Sequence, residues 1–119
     1  LTPSNYQEFM RVLAPGGTLV KVIPGNDYLV QLRQQLYRSN PEKQTYSNAD
    51  ILERVQSECP QVTFEEVRYT VNLTDATYRH LLEMTPLYWG ATPEDKAYSN
   101  EHPLATVTVH YIIAVVKKP

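Results

Sequence analysis

Few residues in this chain have the type and spacing that chemistry needs. His80, His102 and His110 are not spaced as metal ligands are. A single cysteine, Cys59, allows neither an internal disulfide nor a cysteine-based zinc site. Pro24-Gly25 closes an apolar run. Ligands of open α/β sheets bind outside the C-terminal ends of the strands, so this pair is a candidate ligand contact as well as a plain strand-to-helix turn. Arg33, Arg38 and Lys43 offer cations to a phosphate, and they equally fit a solvated surface. The chain holds nine tyrosines and two phenylalanines. A tyrosine joins a flat apolar body to a polar tip, so it suits clefts as well as cores.

The elements that must position these residues follow from periodicity. Tyr6, Phe9, Met10 and Leu13 recur at helical spacing and mark one buried face. Pro15-Gly16-Gly17 ends that helix: Pro15 cannot continue it, and both glycines can take positive φ. Residues 18–23 form a predicted strand, β-branched and apolar, with Lys21 its only charge. A helix, a glycine turn and an apolar strand are half of a βαβ crossover, which calls for a parallel sheet. The strand that should feed the helix is missing, since only Leu1 and Thr2 precede Pro3. The chain is therefore expected to be a fragment of a larger α/β protein; a processed N-terminus is the alternative.

Further helices are predicted over residues 27–38, capped by Asn26 or Asp27, and over residues 48–59, with a loop over 39–46. Residues 62–73 alternate, with one slip in phase at Glu65-Glu66, and predict a half-buried antiparallel strand. A helix over 75–84 starts at Thr74 or Asp75. Residues 92–103 hold Pro93 and Pro103 and are expected as a loop or a short irregular helix. Residues 105–116 are the most β-prone run and should form a central strand.

Composition sets the outer bounds. At 119 residues the chain can build one domain with a modest core. A formal charge of -2 gives no global basic field for nucleic acid, though a local patch remains open. No apolar run reaches the roughly 18 residues of a membrane span. One cysteine fits a reducing cytoplasm. Asn72-Leu73-Thr74 matches a glycosylation triplet that is common by chance, and no signal peptide accompanies it.

The order α, β, α, α, β, α, β, together with its motifs, resembles the C-terminal half of a class I S-adenosylmethionine-dependent methyltransferase. RVLAPGGTLV, residues 11–20, is similar to the "R-x-L-K-P-G-G-x-L" segment that leads into that fold's fifth strand, with Ala14 where Lys is usual. Residues 24–37, PGNDYLVQLRQQLY, resemble the "P-G-x-x-H-L-x-E-L-[RK]-x-x-I-Y" run of the large-subunit ribosomal RNA guanine-N1 methyltransferases. Residues 81–91, LLEMTPLYWGA, resemble their "L-L-x-M-T-P-[FLY]-x-W-[RK]-A" run. The resemblance covers nearly the whole chain. It implies an α/β fold, the trailing flank of a Rossmann-like sheet, with strands five, seven and six side by side, the last two antiparallel, and flanking helices. Residues 1–119 would then be the C-terminal part of a catalytic domain.

The same resemblance implies what lies elsewhere: an N-terminal zinc module, a glycine-rich cofactor loop, and an acidic residue for the ribose. The chain alone is thus expected to be inactive. The resemblance places Pro24, Gly25 and Tyr28 beside S-adenosyl-L-methionine, with Tyr28 standing where the family has His. It implies an acceptor pocket shaped by Met84, Thr85 and Pro86, where Tyr88 and Trp89 would stack on the unpaired guanine; a core plug is the alternative for Trp89. Asp27 and Glu83 are the carboxylates nearest that pocket, with helix capping and solvent exposure as their plainer roles. The catalytic residue is left unassigned and no metal ligand is expected within the chain. Ribosomal RNA is the implied partner, and an unpaired strand edge would also let two copies dimerise. A non-catalytic binding or dimerisation module, and a same-fold methyltransferase with a small-molecule acceptor, stand as the alternatives.

Overall fold

The computed structural model describes residues 5–119. The expectation of a missing feeding strand rests on Leu1, Thr2 and Pro3, which lie outside the described residues. Helix α1 (Tyr6–Val12) starts at Asn5, whose side chain accepts from the Glu8 N–H. It is shorter than its apolar pattern suggests: Tyr6 is buried, Phe9 is exposed and Leu13 lies past the helix end. Gly16 takes φ +79°, as the turn requires. Gly17 serves a different need. A Cβ there would sit 2.8 Å from the Ala14 carbonyl oxygen, the acceptor of the Gly17 N–H.

Strand β1 (Thr18–Pro24) pairs antiparallel with β3 (Thr106–Lys117), Thr18 opposite Lys117 and Pro24 opposite Tyr111. Strand β2 (Thr63–Asn72) takes the other side of β3, giving the order β1-β3-β2. The Thr63 hydroxyl reaches the Val115 carbonyl, and the Leu73 N–H donates to Ala105 O at 2.7 Å. β2 therefore runs against β3. The most β-prone run is indeed the central strand. Among the described residues every pairing is antiparallel, so the parallel neighbour expected for β1 is not among them. β2 departs from its half-buried reading: Phe64, Tyr69 and Val71 are exposed and Val67 alone is partly covered. An alternating pattern marks a face; it does not guarantee a layer to cover it.

The chain divides into two compact units. The first takes residues 5–25, Ser47–Val67 and Tyr111–Pro119. Its core joins Tyr6, Ile23, Val55, Cys59, Ala114 and Val116 under α1 and α3 (Ala49–Glu58). Burial pushes the Cys59 thiol up, which keeps it unreactive. Lys118 Nζ donates to the Met10 and Leu13 carbonyls at 2.6 and 2.8 Å, satisfying orphan acceptors at the end of α1.

The second unit takes Asn26–Tyr46 and Arg68–His110. Helix α2 (Val30–Leu36) starts later than predicted, and neither Asn26 nor Asp27 caps it. Its N-cap is Leu29, in the left-handed region at φ 53°, ψ 33°. That conformation costs a leucine about 1–2 kcal/mol. Burial of the side chain and a 2.9 Å bond from its N–H to Thr108 O hold it there. Asp27 instead pairs with Arg68 at 3.3 Å, and its N–H donates to Nδ1 of buried His110. The core joins Leu29, Leu32, Leu36, Tyr37, Tyr78, Leu82, Ala91 and Val107. Thr74 opens α4 (Asp75–Met84) with a reciprocal capping box to Thr77.

Helix α5 (Pro93–Glu101) is regular where a loop or irregular helix was expected. Its start signal was present: Thr92 caps, Pro93 occupies the first turn, and Glu94 and Asp95 complement the helix dipole. Asp95 also ties α5 to the segment after α2, accepting from the Ser39 hydroxyl at 2.6 Å and the Ser39 N–H at 3.3 Å. The Ser39 hydroxyl holds the Asp95 carboxyl below the usual carboxylate range. Its contribution is thus complete above the unfolded value near pH 4 and is lost as pH falls through the lower folded value. Melting temperature followed against pH should show an acid-side drop that Asp95→Asn flattens.

Candidate nucleic-acid interface

Thr85 closes α4 and opens the next turn. Its N–H donates to Leu81 O at 3.0 Å, and its hydroxyl accepts from the Leu87 N–H at 3.3 Å. Pro86, which has no N–H to satisfy, starts the 3-10 turn Pro86–Gly90. The Tyr37 hydroxyl fastens that turn by donating to Leu87 O at 2.7 Å. A Cβ on Gly90 would come within 2.8 Å of the same hydroxyl, so glycine permits the close approach.

This turn sets out an aromatic pair. Tyr88 is half-buried against the second unit's core, while Trp89 is 71% exposed. Their rings meet edge to face, with centroids 5.7 Å apart. Lys96 from α5 places its ammonium 5.2 Å from the Tyr88 ring and 5.9 Å from the Trp89 ring. Asn100 donates to the Tyr88 hydroxyl at 3.2 Å and to Lys96 O at 2.9 Å. A cavity of about 180 Å³ beside them is lined by Arg79, Leu82, Glu83, Tyr88 and Asn100. An exposed indole with a cation over its face and polar groups alongside can stack on a base and hold a nearby phosphate.

Of the expected acceptor residues, Tyr88 and Trp89 come together, and the core-plug alternative for Trp89 is excluded by its exposure. Met84, 79% exposed, ends α4. Thr85 is buried and works as a cap, so with Pro86 it builds the turn. Glu83 is exposed and lines the cavity. Lys96, Asn100 and Arg79 were missed. Reading residues 92–103 as irregular hid Lys96; the Thr92-Pro93-Glu94-Asp95 start signal would have set it one turn into a helix.

The residues expected beside the cofactor do not complete a nucleoside site by themselves. Pro24 and Gly25 end β1 in the first unit, where the Pro24 carbonyl accepts from Asn48 Nδ2 at 3.0 Å and Gly25 is buried. Tyr28 belongs to the second unit and packs, partly buried, against its core. Arg33 corrects the surface reading of the cations: it is buried over the Tyr46 ring, and burial pushes its guanidinium down. Among the described residues no group of three or more His, Cys, Asp or Glu side chains could hold a metal ion. No described helix is long and apolar enough to cross a membrane.

The chain is similar to YxjB of Bacillus subtilis (strain 168), provisionally named as a 23S rRNA (guanine-N(1)-)-methyltransferase. The two are 38% identical over 117 residues, 98% of this chain and 41% of that protein. The 23S rRNA (guanine(748)-N(1))-methyltransferase of Streptomyces fradiae is 28% identical over 95 residues, 80% of this chain and 33% of that protein. Both relatives are named as 23S rRNA guanine-N1 methyltransferases, the first provisionally. The chain thus spans well under half of the relatives it matches. No protein-family model matches it.

Proposed function

We propose that this chain is the C-terminal part of the catalytic domain of an S-adenosylmethionine-dependent methyltransferase that acts on guanine N1 in 23S ribosomal RNA, in the cytoplasm. The observation that carries the acceptor side is the exposed Trp89 with Tyr88 and Lys96 gathered around it. The similarity to two proteins named for that reaction supports the chemistry. The donor is activated as a sulfonium, so the protein's work is to align an in-line attack and exclude water. Guanine N1 must lose a proton, and Glu83 at the edge of the small cavity is the carboxylate best placed to accept it. Pro24, Gly25 and Tyr28 would border the donor, whose main contacts come from the glycine-rich loop and acidic residue of the rest of the enzyme. A zinc module belongs to that remainder as well.

The test is methyl transfer from labelled S-adenosylmethionine by the full-length protein to unmodified 23S rRNA, with the product located by primer extension. A primer-extension stop at one guanine is expected, and the 119-residue chain should yield none. Transfer to small acceptors without transfer to RNA would replace this function with the small-molecule alternative.

A further inference from the structure

A second feature of the same unit lies apart from the aromatic pair. A groove of about 500 Å³ runs between α2 and the end of α5, bordered by Gln34, Arg38, Tyr98, His102 and Leu104. Three planar groups stack in it. The Arg38 guanidinium carbon lies 3.5 Å from the Tyr98 ring centroid, and the His102 ring lies 3.8 Å from the Tyr98 ring at 16°. The stack is held from within the protein. His102 Nδ1 lies 2.8 Å from Tyr98 O, and a carbonyl can only accept. Nδ1 therefore carries a proton. Gln35 Nε2 donates to His102 O at 2.6 Å and fixes the end of α5. Gln31 binds Thr108 through both its amide atoms and fixes the opposite wall.

Arg38, His102 and Gln34 are exposed, so the groove offers water a guanidinium, an imidazole and an amide. Gln35 Oε1 is buried in the wall with no hydrogen-bond partner among the described residues. Flat π surfaces, a cation and amide groups are what an unstacked base and its phosphate require. A stacked guanidinium keeps its in-plane N–H donors for the phosphate.

We propose that this groove binds one unpaired nucleotide of the substrate RNA outside the acceptor pocket, its base on the outer face of His102 at the end of the stack and its phosphate on Arg38. The proposal rests on the RNA function argued above. Lys96 and Tyr98 are two residues apart, about 200° around a helix. The aromatic pair and the groove therefore flank α5 on opposite sides, and RNA that fills both crosses that helix.

The experiment measures binding of a 23S rRNA transcript to the full-length protein by filter retention across a salt series. His102→Ala should weaken binding between about five- and a hundredfold, and His102→Phe should keep it. Arg38→Ala should also lower the log–log salt slope by about one, which a purely structural loss would not do. If the wild type binds and methylates the RNA while all three variants bind like wild type with an unchanged slope, the groove proposal falls and the methyltransferase function stands. If the wild type neither binds nor methylates RNA, both fall.

Discussion

Replacing Tyr78 with alanine should remove about 3–5 kcal/mol of stability, the usual cost of emptying a large aromatic site. Tyr78 is completely buried in the second unit's core and is the largest fully buried side chain described. Its hydroxyl donates to Ser99 O at 2.6 Å, so it joins α4 to α5 as well as filling space. Tyr78→Phe keeps the volume and strands that carbonyl, at a cost of about 1–3 kcal/mol. Urea titration of the protein followed by circular dichroism measures both. Burial also pushes the Tyr78 hydroxyl up to about 12. A raised folded value means that its contribution is complete below the unfolded value near 10 and disappears as pH climbs through about 12. The wild type should therefore lose stability over that alkaline window, and Tyr78→Phe should lose less of it. Equal losses in the two proteins would show that this hydroxyl does not titrate there.

Trp89→Ala should do the reverse: leave stability within about 0.5 kcal/mol, because the side chain is mostly in water, and cut methylation. Base stacking contributes about 1–3 kcal/mol per base, so kcat/KM for 23S rRNA should fall between about five- and a hundredfold. Trp89→Phe should recover much of it, since a smaller ring still offers a face. An unchanged kcat/KM in Trp89→Ala would remove the indole from the acceptor site.

Three features of the fold were legible for clear reasons. Residues 105–116 are so rich in β-branched and aromatic side chains that a central strand was the natural outcome, and β3 is one. The Pro15-Gly16-Gly17 turn carried its own stop signal. Thr74 announced α4. The misreadings have physical causes too. The start of α2 is set by Leu29, whose left-handed backbone is imposed by Thr108, a residue remote in sequence. Exposure of β2 depends on what packs on its faces, which its alternation does not encode. At the site, the run Met84–Thr85–Pro86–Leu87–Tyr88–Trp89 pointed to the aromatic pair. Lys96, Asn100 and the Arg38–Tyr98–His102 stack come from separate helices, and only packing brings them together.

The hold of Lys118 on the carbonyls of α1 has a consequence for biosynthesis. Once residues up to His110 are present, all of the second unit is available to pack. The opposite is true of α1 and β1. They precede their fastenings, the strand from Tyr111 onward and the ammonium of residue 118, by about a hundred positions. Residues 6–24 stay unsecured until those positions exist, so a nascent chain stalled before Tyr111 would leave Ile23 and Tyr6 exposed.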